Sequence, residues 1–246
     1  MYRYYDELLT LLSQDYNCSR EDFASDKNLV TLSVQNTKAR AFDEERRFFS
    51  MVTLGKNAVI SADERLHGFL TEYAQKNQGH WIFELKSLIP INEELKKYGY
   101  TLTKTHHCQL PCKDVDITAD YEVKWFYDRE IDVFYGDKRF SHAICPKFIP
   151  ERPDRIVVCA YENGDIIGMA GCSEDAKGWQ QIGIDVLPAH RSKGVGKYLV
   201  SLIRKRIEEL GDIPFYGSAV ANYHSMNIAY ACGFRPAWVE IGSVKI

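Results

Sequence analysis

The stretch Ala189–Val200, AHRSKGVGKYLV, contains the residue types that hold phosphate groups in proteins. Gly194 and Gly196 allow a ligand to approach the backbone closely. An apolar helical pattern follows, and the N–H groups and positive dipole end of a helix N-terminus attract anions. Basic side chains flank the two glycines: Arg191, Lys193 and Lys197. The stretch therefore predicts a phosphate-binding turn, and the alternative is a solvated basic turn before an ordinary helix.

Two common phosphate-binding loops do not fit this turn. The P-loop of nucleotide-binding proteins needs glycine five residues before Gly196, but Arg191 stands there. It also needs Ser or Thr after Lys197, where the sequence has Tyr198. A dinucleotide-binding loop needs glycine three residues after Gly196, where the sequence has Leu199. The turn thus supports neither ATP nor NAD as its ligand, and a nucleotide-binding protein is the weakest of the hypotheses.

The turn and its surroundings resemble the GNAT N-acetyltransferase superfamily. Arg191–Gly196, RSKGVG, matches the acetyl-CoA loop of that family, which reads Gln/Arg-x-x-Gly-x-Gly/Ala. Val186 and Pro188 precede it at the spacing of the family. The family then has a long helix, a strand, an asparagine and a short helix closing on Gly-Phe, and this chain supplies the last three residues: Asn222, Gly233 and Phe234. The resemblance covers about residues 115–246.

The resemblance implies acetyl-CoA as co-substrate. The strand that ends at Ile184 and Val186 would pair its backbone with the pantetheine arm of acetyl-CoA, and Asn222 and Ser225 would contact that arm. The strand at 213–220 would diverge from its parallel neighbour and open a slot for the acetyl group. Backbone N–H groups of the whole turn would hold the pyrophosphate: Arg191, Ser192, Lys193, Gly194, Val195, Gly196 and Lys197.

Acetyl transfer by direct attack of an amine on the thioester needs a base for the ammonium group and an acid for the thiolate. Asp185 is the candidate base, acting through water, and the alternative is that its carboxylate binds a neighbouring loop. Many family members have a tyrosine that acts as the general acid where this chain has Ala229. We expect the adjacent Tyr230 to face another direction on the helix and to be a packing residue. The remaining candidates for the acid lie on the strand and loop beside the slot: Tyr216, Tyr223 and His224.

Composition narrows the classes of partner. The chain has 246 residues, 45% of them hydrophobic, and a net charge of -3, so no overall basic field favours nucleic acid. Asp6 and Glu7 lie where an export signal would have its apolar stretch, so we expect no export signal. No run of residues approaches the ~20 apolar residues that a membrane span needs. The seven cysteines are scattered without a Cys-x-x-Cys pair. We expect a cytoplasmic protein with reduced thiols that binds no membrane, and a homodimer stays open.

The elements that must position the turn divide into two predicted domains. Residues 111–246 predict a GNAT-type α/β (α+β) fold, a mixed, mostly antiparallel sheet flanked by helices, with a hairpin at Asn163-Gly164. Residues 1–110 predict a second α/β domain. A loose echo between NEELKKYGYTL and NIAYACGFRPAW indicates either a degenerate GNAT-like half or an unrelated α/β domain.

Several local patterns give further expectations. Leucines near the N-terminus predict an amphipathic helix, and residues 28–34 and 48–55 predict strands. Residues 81–102 predict a helix that breaks near Pro90. Residues 105–114 predict an interdomain linker without a metal, because the spacing of His106-His107-Cys108 and Cys112 fits no common zinc site. The aromatic stretch 117–140 predicts helical pieces.

These observations predict an acetyl-CoA-dependent N-acetyltransferase acting on a primary amine. A small-molecule amine is the expected acceptor, and a peptide amine stays open, because acceptor residues lie on variable loops. The alternative is a non-catalytic acyl-CoA-binding sensor, which Ala229 at the usual position of the acid motivates.

Overall fold

The computed structural model describes residues 3–41 and 47–246. They form two units. Unit 1 consists of Gln109–Arg235 together with the N-terminal residues through Tyr4. Unit 2 consists of Tyr5–Cys108 together with Pro236–Ile246. The predicted domains, 1–110 and 111–246, remain a prediction.

The described residues contain five α-helices and eleven β-strands. The helices are α1 (Tyr5–Asp15), α2 (Glu64–Lys76), α3 (Leu85–Lys96), α4 (Val195–Glu209) and α5 (Tyr223–Ala231). The strands are β1 (Leu29–Leu32), β2 (Phe49–Thr53), β3 (Ala58–Ala62), β4 (Tyr100–Leu102), β5 (His106–Pro111), β6 (Glu122–Tyr127), β7 (Asp154–Glu162), β8 (Asp165–Ala176), β9 (Trp179–Val186), β10 (Ile213–Ala219) and β11 (Phe234–Lys245). Short 3-10 helices occur at Glu21–Ala24, Gly79–Phe83, Asp128–Phe134, Lys138–Phe140 and Pro188–His190.

Unit 1 contains a mixed sheet with the strand order β10-β9-β8-β7-β6. Its neighbours are antiparallel except for β9 and β10, which run parallel. The predicted hairpin between β7 and β8 is confirmed, and Asn163 and Gly164 at its turn have φ values of 54° and 87°. Two residues with positive φ are what a type I′ turn requires, and Asn-Gly supplies them at least cost.

The two faces of the unit 1 sheet are covered differently. On one face, α4 buries residues at helical spacing against the strands: Val195, Leu199, Ile203 and Ile207. On the other face, the 3-10 segments between β6 and β7 cover the sheet, with Ile131 and Phe140 fully buried. Because strand side chains alternate between faces, β9 directs Ile182 into the α4 side. The face of the sheet that packs against α4 therefore holds the start of that helix in place. The opposite face is in contact with the loop segments between β6 and β7.

Unit 2 contains strands in the order β1-β3-β2-β11, and β4 also pairs with β11. β1 and β3 are parallel, and the other pairs are antiparallel. Every residue of β2 and β3 is buried, as expected for strands covered on both faces. Residues Val239–Gly242 of β11 pair with β2, which explains why the C-terminal residues belong to unit 2.

The structure corrects three local expectations. The helix at 81–102 does not break near Pro90: α3 runs through it, and the carbonyl that Pro90 leaves without a donor belongs to the exposed Lys86, where water can replace it. The expected linker at 105–114 is largely strand β5, whose last four residues are buried. The helical pieces expected at 117–140 begin instead with strand β6, whose alternate residues pack on the α4 face of the sheet.

Candidate functional site

The parallel strands β9 and β10 diverge near the middle of unit 1. Their ladder runs from the pair Ile213↔Trp179 to the pair Tyr216↔Ile182 and ends there. Both strands continue, β9 to Val186 and β10 to Ala219. On its other side β9 stays paired with β8 through the pair Gly168↔Val186. Beyond Ile182 the backbone of β9 therefore stays paired with β8 but is no longer paired with β10, so an extended ligand could pair with it on that side.

The glycine turn follows the end of β9. Ser192 and Gly194 both have positive φ, 61° and 90°, and Gly194 is the N-cap of α4. An alternation of this kind turns successive backbone N–H groups toward one side and makes a concave anion site. The first-turn amides of α4 have no acceptor within the helix. Five residues of the glycine turn are exposed to solvent: Arg191, Ser192, Lys193, Gly194 and Lys197.

The two glycines of the turn have different roles. A Cβ on Gly194 would meet no atom within 4 Å, so this glycine is required by its backbone conformation. A Cβ on Gly196 would lie 3.1 Å from Ile228 Cδ1 and 3.4 Å from Val186 Cγ2. The lack of a Cβ at Gly196 therefore lets the start of α4 pack closely against α5 and β9.

Two side chains fasten the turn to the rest of unit 1. Arg191 Nε donates to the carbonyl oxygen of Val186 at 3.0 Å. The hydroxyl of Tyr121 donates to the carbonyl oxygen of Lys193 at 3.0 Å. Both contacts use carbonyl groups of the backbone and occupy no amide group of the turn. The Arg191 amide itself donates to the carbonyl oxygen of Pro188 at 3.4 Å.

The start of α5 is linked to β10 by a chain of hydrogen bonds. Asn222 Oδ1 caps α5 by accepting from the backbone N–H of Ser225 at 3.2 Å. Ser225 Oγ lies 2.7 Å from the hydroxyl oxygen of Tyr216. Tyr216 stands at the last pair of the β9–β10 ladder, and its burial raises the pKa of the hydroxyl to about 12. The structure thus brings together Asn222, Ser225 and Tyr216, and Tyr216 keeps its proton at neutral pH.

Tyr223 and His224 lie in the first turn of α5, and both are exposed, with 68% of Tyr223 accessible. Ala229 is fully buried in the core of unit 1. The ring of Tyr230 lies 5.5 Å from the Arg235 guanidinium, which places it in a packing contact.

Asp185 binds a loop through both carboxylate oxygens. Its Oδ2 accepts from the backbone N–H groups of His142 at 2.7 Å and Ala143 at 3.0 Å. Its Oδ1 lies 2.9 Å from Nδ1 of the His142 ring. Of the two alternatives drawn from the sequence, the structure therefore shows the loop contact. His142 had no signal in the sequence, because it lies 43 residues from Asp185 in a stretch without a motif.

The side chains of Ile184 and Val186 pack against the α4 core. Their backbone groups belong to the part of β9 beyond its ladder with β10.

Two buried cysteines of unit 1 are poorly suited to nucleophilic chemistry. Burial raises the pKa of Cys172, and it raises the pKa of Cys232 to about 12. Cys232 Sγ also donates to the carbonyl oxygen of Lys197 at 3.2 Å. A thiol attacks as its thiolate, so these side chains do not serve as acyl carriers at neutral pH. In the part of the chain that the structure describes, no disulfide joins the seven cysteines.

The described residues offer neither a metal cluster nor a membrane-spanning helix. Among residues 3–41 and 47–246, no group of three or more His, Cys, Asp or Glu side chains could hold a metal ion. Because β5 alternates its side chains, His107 and Cys108 point to opposite faces of the strand. No helix in the described ranges is long and apolar enough to cross a membrane.

Residues 118–234 match the family model described as Acetyltransferase (GNAT) family. A search of curated proteins gave no match.

Among solved structures, a putative GNAT acetyltransferase from Novosphingobium aromaticivorans is 12% identical, with a TM-score of 0.43, over 59% of this chain and 66% of that chain. A GCN5-related N-acetyltransferase-like protein from Streptococcus suis is 12% identical, with a TM-score of 0.49, over 66% and 69%. A putative acetyltransferase from Salmonella typhimurium, solved with its cofactor acetyl-CoA, is 15% identical, with a TM-score of 0.37, over 52% and 94%. This chain thus spans just under two thirds of the first of these proteins.

Proposed function

Because residues 118–234 form a domain of the GNAT acetyltransferase family, we propose that this chain transfers the acetyl group of acetyl-CoA to the primary amine of a small molecule. The observation that carries the proposal is the divergence of β10 from β9 beyond the pair Tyr216↔Ile182. It leaves a length of extended backbone for an amide-rich arm, and the turn that follows β9 offers helix N-terminal amides for the pyrophosphate.

In this proposal the turn binds the pyrophosphate through its backbone N–H groups, and its side chains add positive charge. Lys193 and Lys197 are exposed and supply that charge directly. Arg191 acts from its contact with the Val186 carbonyl, which ties the turn to the end of β9. The residues of the turn are those from Arg191 to Lys197: Arg191, Ser192, Lys193, Gly194, Val195, Gly196 and Lys197.

The pantetheine arm would lie along β9 from Ile184 to Val186. Its amides would pair with backbone groups that the β10 ladder leaves unused. Asn222 uses its Oδ1 to cap α5, so its side-chain NH2 group is the part that would contact the arm. Ser225 would contribute through the hydroxyl that it shares with Tyr216.

The transfer would proceed in a ternary complex. The ammonium group gives one proton to a base, its nitrogen bonds to the thioester carbon, and the C–S bond breaks. The nitrogen then releases a second proton, which replaces the one that the departing thiolate takes up. A backbone N–H on the open part of β9 would stabilise the developing oxyanion. Tyr216 is the proposed proton donor to the departing thiolate, because it is protonated and lies where the strands diverge. Tyr223 and His224 remain alternative donors, and Asp185 remains part of the base.

The test is calorimetric titration with acetyl-CoA, with ATP and NADH as controls, followed by a thiol-release screen over a library of amines. We expect acetyl-CoA alone to bind and at least one amine to release CoA. Binding by ATP but not by CoA would overturn the proposal in favour of a nucleotide site.

A second candidate function is a non-catalytic acyl-CoA sensor. It is favoured by Ala229, which is fully buried. Many GNAT enzymes have at this position a tyrosine that acts as the general acid. Binding of acetyl-CoA without release of CoA from any amine would support it.

The cellular setting belongs to the same proposal. Seven cysteines without a disulfide in the described structure support a reducing cytoplasm. A net charge of -3 supports a small-molecule acceptor over nucleic acid. A homodimer is an arrangement that this proposal leaves open.

A further inference from the structure

We propose that His142 is the general base that removes the proton from the acceptor amine, and that Asp185 positions it. The inference rests on the proposed acetyl transfer and names a residue of that site which the motifs do not contain. It follows from the contacts of Asp185, from the exposure of the His142 ring, and from the way in which the sheet holds the loop.

Asp185 lies on the part of β9 that continues beyond its ladder with β10. Its Oδ1 lies 2.9 Å from Nδ1 of His142, and its Oδ2 accepts from two backbone N–H groups of the same loop. Three hydrogen bonds thus engage both oxygens and hold the carboxylate against the loop. The geometry points to the ring that it holds.

The His142 ring meets the requirements of a base. A neutral imidazole that donates from Nδ1–H to a carboxylate has its lone pair on Nε2. The side chain of His142 is 81% exposed, whereas that of Asp185 is 16% exposed. The carboxylate is therefore shielded and orients the ring, while the ring has an edge that an incoming amine can reach. When Nε2 takes the proton, the carboxylate stabilises the resulting imidazolium.

The loop that carries His142 is seated on the sheet by two glycines. Gly171 of β8 and Gly183 of β9 are directly paired across the strands. A Cβ on Gly183 would collide with the carbonyl oxygen of His142, and a Cβ on Gly171 would collide with that of Ala143. A patch without side chains lets the loop backbone lie on the sheet, which fixes His142 beside the open end of β9. The position of the ring is thus built into the strands.

The decisive variant is His142→Asn. Its side-chain NH2 can still donate to Asp185 and keep the loop in place, but it cannot accept a proton at neutral pH. We expect kcat to fall about 10²- to 10⁴-fold, with the Kd for acetyl-CoA by calorimetry within about twofold of the original. His80→Asn, an exposed histidine of unit 2, is the matched control and should leave both values unchanged.

Two further measurements separate a base from a structural residue. Added imidazole should restore turnover to His142→Ala, and less so when Asp185→Asn is combined with it. The loss in His142→Asn should also shrink for weakly basic amines, which arrive without the extra proton.

The outcomes distinguish this inference from the function on which it rests. If the original protein turns over an amine and His142→Asn retains a third or more of kcat, His142 is not the base, and the acetyl transfer stands. If the original protein binds acetyl-CoA and acetylates no amine, the proposed function and this inference both fall.

Discussion

The two units each contain an acidic side chain whose oxygens are both engaged, and the two settings are opposites. In unit 2, Glu240 accepts from Arg40 Nη1 at 3.1 Å and Nη2 at 2.6 Å, and from Trp238 Nε1 at 3.0 Å. Arg40 also binds Asp15, and the Arg40 and Asp15 side chains are 2% and 0% exposed. In unit 1, Asp185 holds a histidine ring that is 81% exposed.

The difference separates a structural network from a chemical one. In unit 2, burial alone would raise the pKa of Glu240, but the charge and hydrogen bonds of Arg40 lower it to about 2. Burial would likewise lower the pKa of Arg40, and Asp15 and Glu240 keep it well above its usual range. Arg40 thus keeps its proton, and Glu240 stays ionised near neutral pH. In unit 1, one partner faces solvent, so a proton can arrive and leave.

Breaking the buried network of Arg40, Asp15 and Glu240, called here the sealed network, should have the largest effect on stability. Arg40→Met leaves Asp15 and Glu240 as buried carboxylates without their cation, and we expect a loss of about 3–5 kcal/mol in the free energy of unfolding. Urea denaturation at neutral pH measures it. The matched control is Arg20→Met, which breaks the exposed pair with Asp6 and should cost about 0–1 kcal/mol. Equal midpoints for the two variants would contradict the sealed-network interpretation.

The second-largest effect should be a loss of stability of unit 2 at acid pH. The pKa of Glu240 is lowered from 4.5 to about 2 in the folded chain, so its contribution is complete above about pH 4.5 and is lost as the pH falls toward 2. The shift corresponds to ~3 kcal/mol. Hydrogen exchange of unit 2 peptides between pH 5 and pH 2 measures it, and Glu240→Gln should remove this dependence.

A carboxyl group of unit 1 should show a pH dependence of stability opposite in sign to that of Glu240, which provides an internal control. Burial raises the pKa of Asp154 from 3.8 to about 6, so its contribution to stability increases as the pH falls from about 6 to 4. Asp154→Asn should flatten hydrogen exchange of unit 1 in that range. If both units lost stability in parallel from pH 6 downward, the two carboxyl groups would not have the surroundings described here.

A smaller effect tests the buried hydroxyl beside the open strands. Tyr216→Phe removes the proposed proton donor and its 2.7 Å contact with Ser225 Oγ, and we expect kcat to fall about 100-fold. Tyr230→Phe removes a hydroxyl from a ring that packs near Arg235, so steady-state kinetics should change by less than about twofold. A larger loss in Tyr230→Phe than in Tyr216→Phe would reverse these assignments.

The smallest effect concerns the backbone of the turn. Gly194→Ala puts a Cβ where φ is 90° without any steric neighbour, so only the left-handed conformation is penalised. A penalty of about 1–2 kcal/mol would weaken acetyl-CoA binding about 5- to 30-fold by calorimetry. Gly211→Ala, at φ 85° after the other end of α4 and equally open, should cost similar stability and leave the affinity unchanged.

The sequence reveals local structure well and distant partners poorly. The hairpin at Asn163-Gly164, the turn at Gly194 and helix α4 follow from neighbouring residues, and all three could be predicted. The pair His142–Asp185 spans 43 residues and the pair Arg40–Glu240 spans 200, so no periodicity reports either of them.

The missed strands have a related cause. β5 contains His106, His107, Gln109 and Pro111, which are unusual in a strand, and its burial comes from neighbours that lie far away in sequence. In β6, aromatic residues occupy both faces, which hides the alternation that would have marked a strand.

The division of unit 2 into two separated segments has a consequence during synthesis. Tyr5–Cys108 leaves the ribosome first, but β2 gains its β11 neighbour only when Pro236–Ile246 has been made. At about 5–20 residues per second, residues 109–235 take roughly 6–25 s to translate. During that interval the nascent chain exposes one edge of a strand whose residues are all buried in the folded chain. An unpaired strand edge is the kind of surface that recruits chaperones or neighbouring chains. The yield of folded protein should therefore depend on the speed of translation more than the affinity for its ligands does.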